Sequence, residues 1–129
     1  MEIKFIDLFC GAGGLALGFK NAGFQIASGI DNDQEALETF KHNFSTSKAI
    51  YYDLTNIRDD LIKTLDHVDV LLGGPPCQGF SIAGKKEVTD PRNMLAQSYL
   101  ELVKILSPSA VIIENVPNIL SSRMKKFAN

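Results

Sequence analysis

The chain has 129 residues, the length of one domain, and its 45% hydrophobic and 22% charged residues are typical of a globular protein. No apolar run approaches the ~20 residues of a membrane span, and residues 1–4 lack the layout of a signal peptide. Two cysteines without paired spacing exclude a disulfide framework and a zinc site and favour a reducing compartment. We therefore expect a cytoplasmic protein without a metal.

A strand, a glycine-rich turn and a helix open the chain. Residues 3–8 have the apolar, β-branched composition of a strand, and residues 15–22 have helical apolar spacing. Between them, Gly11, Gly13 and Ala16 fit the pattern G-x-G-x-x-G/A, in which small residues let a nucleotide cofactor approach the backbone. A tight strand-to-helix turn without a ligand gives the same pattern, so the motif alone leaves both interpretations open.

Two aspartates follow the next two predicted strands. Residues 25–30 form a strand that ends at Asp31, which follows Gly11 at about the 20-residue spacing of a ribose-binding carboxylate. Asp31 is also a candidate N-cap for a helix over 34–44, and the two roles are compatible. A third strand over 48–52 precedes Asp53, which is a candidate ligand contact or another helix cap.

A cysteine follows the fourth predicted strand, 68–72. Gly73-Gly74-Pro75-Pro76 ends that strand abruptly and places Cys77 just beyond its carboxyl end. Ligands bind at this end of open α/β sheets. A lone cysteine is most often a small buried hydrophobe, but a cysteine in this polar loop is a candidate nucleophile.

The remaining elements complete an α/β pattern. A polar loop over 79–91 joins Cys77 to a helix that begins at residue 93 or 94, and a wholly apolar fifth strand over 110–113 ends at Glu114. An acid at the end of so apolar a strand costs free energy unless it is paired or protonated, which favours a site residue over a helix cap. The order predicts one domain over 1–129, a Rossmann-like, doubly wound parallel sheet of about five strands with right-handed crossovers.

The segment Pro75-Pro76-Cys77-Gln78-Gly79-Phe80-Ser81 resembles the catalytic motif of the DNA (cytosine-5) methyltransferases, and four other segments match that family in the same order. The resemblance implies methyl transfer from S-adenosyl-L-methionine to carbon 5 of cytosine in double-stranded DNA, as in restriction–modification in a prokaryotic cytosol. It also implies a covalent adduct with Cys77 and a cytosine flipped out of the duplex.

The resemblance also implies roles for individual residues. Cys77 is the expected nucleophile, and Glu114 is expected to hydrogen-bond the cytosine ring as a protonated carboxyl. The expected cofactor contacts are Phe9 against the adenine, Asp31 on the ribose and Asp53 on the adenine amine, together with Gly11, Gly13, Leu54 and Pro76. The expected substrate contacts are Gln78, Ser81, Arg92, Asn115 and Val116. Arg92 and Leu95 resemble the stretch that follows the family's mobile loop.

The chain departs from the family pattern in its later part. The Gln-x-Arg-x-Arg motif, the target recognition domain and the last strands are absent, so the fifth strand is expected to be an exposed edge. The net charge of −2 also indicates that most of the DNA-holding surface lies elsewhere. We expect a truncated gene product, a fragment, or one subunit of a split enzyme with a second chain as its partner.

Other functions remain compatible with the residues. A nicotinamide-dependent dehydrogenase fragment is favoured by the glycine turn and Asp31, but the sequence offers it no clear hydride-transfer acid or base. A non-catalytic methyltransferase remnant and a tRNA cytosine-5 methyltransferase are further alternatives, since the part that reads the substrate is missing.

Overall fold

The computed structural model describes residues 2–74 and 94–114. Strands and helices alternate along the chain, as the sequence predicts, and most observed bounds lie within two residues of the expected ones. The elements are β1 (Lys4–Leu8), α1 (Gly14–Asn21), β2 (Gln25–Asp31), α2 (Gln34–Asn43), β3 (Lys48–Tyr51), α3 (Asp59–Ile62), β4 (Val70–Gly73), α4 (Met94–Leu106) and β5 (Ala110–Ile113).

The local sequence predicts a helix over about 58–65, whereas the observed α3 covers only Asp59–Ile62. The amides of Thr64 and Leu65 donate to carbonyls three residues earlier, Leu61 and Ile62. The end of this segment is therefore wound more tightly than an α-helix, which is common at helix termini.

All the described strand pairs are parallel, in the order β3-β2-β1-β4-β5. The chain first builds outward from β1 to β3 and then returns to the other side of β1. The direction of winding therefore reverses between β1 and β4. In open α/β sheets, ligands bind at such a switch point, beyond the carboxyl ends of the strands.

The sheet is covered on both faces, which confirms the doubly wound architecture. On one face, side chains of α3 and α4 pack against the strands in a cluster that includes Ile6, Ile30, Leu71 and Tyr99. On the other face, side chains of α1 and α2 pack against the strands in a second cluster. Its buried residues are Phe5, Cys10, Ala16, Leu37, Phe40, Phe44, Val70 and Leu72. Burial of these apolar side chains is the main favourable contribution to folding.

Tyr99 is hydrogen-bonded to both β4 and β5, the strands that precede Cys77 and Glu114 in the sequence. Its hydroxyl lies 2.9 Å from the carbonyl oxygen of Leu71 in β4 and 3.0 Å from that of Ile112 in β5. Its ring packs against Gly73 so closely that a Cβ there would collide with it. The hydroxyl therefore has hydrogen-bond partners inside an apolar cluster. The ring leaves room only for glycine at position 73 of β4.

Strand β5 is an edge of the described sheet. Val111, Ile112 and Ile113 are 38%, 38% and 43% exposed, so the expected edge is confirmed. No helix within 2–74 and 94–114 is long and apolar enough to cross a membrane.

Candidate functional site

The segment from Phe9 to Gly13 forms a tight turn between β1 and α1. Phe9, Gly11 and Gly13 have positive φ angles of 56°, 55° and 101°, and the amide of Gly13 donates to the carbonyl of Cys10 (3.0 Å). A side chain at position 13 would need this unfavourable φ and would also collide with the ring of Phe44. The turn therefore requires glycine at this position.

Asp31 joins that turn to the end of β2. Its Oδ2 accepts a hydrogen bond from the amide of Gly11 (2.8 Å), and its Oδ1 accepts one from the amide of Asp33 (2.9 Å). The N-cap of α2 is Asp33, whose carboxylate accepts from the amide of Ala36 (3.2 Å). The alternative that Asp31 caps this helix is therefore wrong, and its carboxylate is held at the carboxyl ends of the strands.

A cleft of about 150 Å³ opens at these strand ends. Its lining combines aromatic, aliphatic and carboxylate groups from Phe9, Asp31, Asn32, Tyr52, Leu54, Gly74 and Leu95. The sequence predicts Phe9, Asp31 and Leu54 as cofactor contacts, and the structure brings these three together. Asn32 and Tyr52 were not predicted, although each lies in or next to a strand-end turn.

Asp53 lies beside this cleft. It lines a neighbouring cavity of about 240 Å³ that also contains Arg58. Its Oδ1 accepts from the hydroxyl (2.6 Å) and the amide (2.9 Å) of Thr55. These two hydrogen bonds, with a smaller contribution from Arg58, lower the pKa of Asp53. Asp53 is therefore an ionised acceptor at the expected end of the sheet, and its contact with adenine stays a prediction.

Glu114 follows β5 next to the end of β4. Its amide donates to the carbonyl of Gly73 (2.9 Å), and a Cβ added at Gly74 would lie 3.0 Å from its Oε2. The carboxylate thus lies against the backbone that leads directly to Pro75 and Cys77. This confirms that Glu114 lies at the strand end beside the strand that leads to Cys77.

Two buried titratable groups lie near the glycine turn. Asp7 is 1% exposed, and its Oδ2 has no hydrogen-bond partner among the described residues. Burial, and then the nearby charge of Asp31, raise its pKa to about 7. Burial, with Asp7 and Asp31 close by, raises the pKa of the Cys10 thiol far above its usual value. Cys10 is therefore held as a neutral, unreactive thiol.

Several predicted site residues lie outside the described part of the chain, and their roles stay predictions. They are Pro76, Cys77, Gln78, Ser81, Arg92, Asn115 and Val116.

A model of the family of C-5 cytosine-specific DNA methylases matches residues 3–129. The chain belongs to this family. The membership confirms the resemblance carried by the cysteine motif and argues against the dehydrogenase alternative, which has the same type of glycine turn.

Two Type II methyltransferases match nearly all of this chain. The Type II methyltransferase M1.HphI of Haemophilus parahaemolyticus is 40% identical, covering 98% of this chain and 36% of the relative. The Type II methyltransferase M.AgeI of Thalassovita gelatinovora is 45% identical, covering 92% of this chain and 29% of the relative.

A solved structure gives the same result for the fold. This chain superimposes with a TM-score of 0.83 on the crystal structure of a prophage-encoded E. coli protein assigned as a DNA modification methyltransferase. The two sequences are 36% identical, and the match covers 99% of this chain and 36% of the other. Set against these relatives, the chain spans about a third of their length.

S-adenosyl-L-methionine is the cofactor of C-5 cytosine methylases, and the groups that line the cleft have the chemistry that its nucleoside requires. The carboxylate of Asp31 has both oxygens fixed by backbone amides and can still accept from hydroxyl groups through its remaining lone pairs. Phe9 supplies an aromatic wall, and Leu54 and Leu95 supply aliphatic ones. Apolar walls combined with a few fixed polar groups are typical of small-molecule binding sites.

Proposed function

We propose that this chain is the cofactor-binding and catalytic part of a DNA (cytosine-5) methyltransferase. The observation that carries the proposal is the juxtaposition at one end of the sheet. The cleft with Phe9 and Asp31 lies on one side of Gly74, and the carboxylate of Glu114 lies against Gly74 itself. The family's cysteine motif begins at the next residue.

The cofactor half of this site would consist of Phe9, Asp31 and Leu54, with Asp53 and Pro76 at its margins. Asp31 would accept from the ribose hydroxyls, and Asp53, held ionised by Thr55, would accept from the adenine amine. The narrow turn at Gly11 and Gly13 lets the cofactor approach the backbone. When bound, S-adenosyl-L-methionine supplies the electrophilic methyl group.

Cys77 would be the nucleophile. As a thiolate, its Sγ adds to carbon 6 of cytosine, and the electron pair displaced from the ring double bond makes carbon 5 nucleophilic. After methylation, loss of the proton on carbon 5 expels the thiolate and restores the ring. The second cysteine of the chain, Cys10, does not suit this chemistry because it is 7% exposed and its thiol is kept protonated.

Glu114, with its carboxyl protonated, would donate a hydrogen bond to the cytosine ring at N3. Adding a thiolate at carbon 6 increases the negative charge on the ring, and a preorganised donor at N3 stabilises that charge. This role is supported by the hydrogen bond from the Glu114 amide to the Gly73 carbonyl, which ties the end of β5 to the end of β4. Asn115 and Val116 would complete the surface that recognises the base.

Double-stranded DNA with a flipped cytosine is the proposed substrate, with Gln78, Ser81 and Arg92 near the base and its phosphates. The net charge of −2 gives the chain little general attraction for a polyanion. We therefore propose that recognition of the target sequence and the rest of the sheet come from another part of the protein or from a second chain.

Two measurements test the proposal. Calorimetric titration of the chain with S-adenosyl-L-methionine should give saturable binding that Asp31→Ala weakens. Incubation with cofactor and DNA containing 5-fluorocytosine in place of cytosine should give a covalent adduct in denaturing electrophoresis, because the fluorine blocks proton loss.

The cysteine variants identify the nucleophile. Cys77→Ser should abolish the adduct, while the matched variant Cys10→Ser should retain it. An adduct that survives Cys77→Ser would refute the assignment of Cys77. If the wild-type chain binds the cofactor but forms an adduct only when the missing part of the enzyme is added, the split-enzyme form of the proposal is supported.

A further inference from the structure

Tyr52 lines the cofactor cleft although no motif assigned it a role. It is the first residue after β3, and its backbone amide donates to the carbonyl of Asp31 (3.0 Å). The start of this side chain is therefore tied to the same strand end that presents the Asp31 carboxylate. Its ring is half-buried and packs against the apolar cluster on the α3 and α4 face.

The hydroxyl of Tyr52 is hydrogen-bonded to the residue that precedes α3 and to the first turn of that helix. It donates to Oδ1 of Asp60 (2.9 Å) and accepts from the backbone amide of Arg58 (3.1 Å). The same Oδ1 accepts from the amide of Leu61 (2.8 Å), which fixes the Asp60 side chain in turn. The hydrogen bond from Tyr52 is the main reason that the pKa of Asp60 is lowered.

Tyr52 also separates two cavities. One is the cleft that contains Phe9 and Asp31, and the other is the 240 Å³ cavity that contains Asp53 and Arg58. Among the described lining residues, Tyr52 alone belongs to both. The guanidinium of Arg58 lies 5.6 Å from the centre of the Tyr52 ring and lines the second cavity, not the cleft.

We propose that Tyr52 is a positioning residue for the nucleoside of the cofactor, with its ring as a wall of the cleft that contacts the purine and with Asp60 and Arg58 holding that ring in place. This inference rests on the proposed function, because it takes the cleft to be the cofactor site. A purine offers a flat apolar face, and a ring fixed by hydrogen bonds at its far end loses little conformational entropy when it is covered.

Tyrosine fluorescence reports this contact directly. The chain has three tyrosines and no tryptophan, so a purine that covers Tyr52 changes a large share of the emission. The probe is S-adenosyl-L-homocysteine, which carries the same nucleoside and transfers no methyl group. Calorimetry measures its binding independently of the fluorescence.

The variants separate the contact from general effects on folding. Tyr52→Leu should weaken binding about tenfold or more. Tyr52→Phe keeps the ring, should bind within a few-fold of wild type, and should lose most of the fluorescence change. Tyr51→Phe is the matched control, since Tyr51 is 62% exposed and does not line the cleft, and it should keep both binding and fluorescence change.

A double-mutant cycle tests whether Asp60 acts by positioning the Tyr52 ring. Asp60→Ala should weaken binding a few-fold in the wild-type background and have little further effect in Tyr52→Phe, because both substitutions break the same hydrogen bond. An additive effect would show that Asp60 does not act through Tyr52. Circular dichroism checks the fold of each variant, and Tyr52→Phe alone suffices if Tyr52→Leu does not fold.

The outcomes distinguish the two proposals. If wild type binds the probe, Asp31→Ala loses it, and the fluorescence change survives in Tyr52→Phe, the inference about Tyr52 is overturned and the proposed function stands. If folded wild type does not bind the probe, the cleft is not a cofactor site in this chain and both proposals fall.

Discussion

The amide of Gly11 and the carboxylate of Asp31 are joined by a hydrogen bond of 2.8 Å that links the turn after β1 to the end of β2. The bond has two consequences. It gives a hydrogen-bond partner to the Gly11 amide, which lies in a turn outside any helix or strand. It also fixes the orientation of the Asp31 carboxylate toward the cleft. One side chain thus shapes the glycine turn and presents the expected ribose acceptor.

Replacing Asp31 should therefore weaken cofactor binding. Asp31→Asn keeps one acceptor oxygen and replaces the other by a donor, so we expect at least a tenfold loss of S-adenosyl-L-methionine affinity, about 1.4 kcal/mol, measured by calorimetry. The control is Asp33→Ala, which removes the N-cap of α2 and should cost about 1 kcal/mol of stability with little change in affinity. Equal affinity losses in both variants would contradict a specific role for Asp31.

The two glycines Gly13 and Gly18 offer a test of the turn. Gly13→Ala must adopt a φ of 101° and displace the ring of Phe44, so we expect a loss of about 2 kcal/mol or more in the free energy of unfolding. Gly18 lies within α1 with open space around it, and Gly18→Ala should stabilise the chain by roughly 0.5–1 kcal/mol. Urea denaturation followed by circular dichroism measures both. A neutral Gly13→Ala variant would show that the turn tolerates a side chain.

Asp7 should make the stability depend on pH. Its pKa is about 7 in the folded chain and near 3.8 when unfolded, so the folded state binds more protons between these values. The stabilisation is present in full below pH 3.8 and is lost as the pH rises through 7. From pH 5 to pH 8 we expect a loss of about 3 kcal/mol.

The comparison with Asp7→Asn isolates the contribution of this carboxyl from that of every other group in the chain. The variant cannot ionise, so its free energy of unfolding should change much less than that of wild type between pH 5 and pH 8 in urea denaturation. Parallel pH profiles for the two proteins would mean that the Asp7 carboxyl titrates normally.

The local sequence predicted the strands, helices and acidic strand ends well, because apolar runs bounded by Gly, Pro and Asp determine them. Asp31 was found through its spacing from Gly11. Tyr52 was missed because its place depends on hydrogen bonds with Asp60 and Arg58, which only the folded chain brings together. The burial of Asp7 likewise depends on packing between elements that are distant in the sequence.

Tyr99 should hold β5, and hence Glu114, in place. Tyr99→Phe keeps the buried ring but leaves the carbonyls of Leu71 and Ile112 without its hydroxyl, so we expect a loss of about 1 kcal/mol in stability. The larger effect should be local. Amide hydrogen exchange in β5, an edge strand with one described neighbour, should accelerate more than exchange in β1.

The matched control for this variant is Tyr51→Phe, which removes a hydroxyl from a side chain that is 62% exposed and should change neither stability nor exchange. If exchange in β5 and β1 rises equally in Tyr99→Phe, the hydroxyl contributes only to global stability. If β5 alone is affected, the tyrosine sets the position of the strand end that presents Glu114 beside Gly74, and adduct formation at Cys77 should slow in the same variant while cofactor affinity stays unchanged.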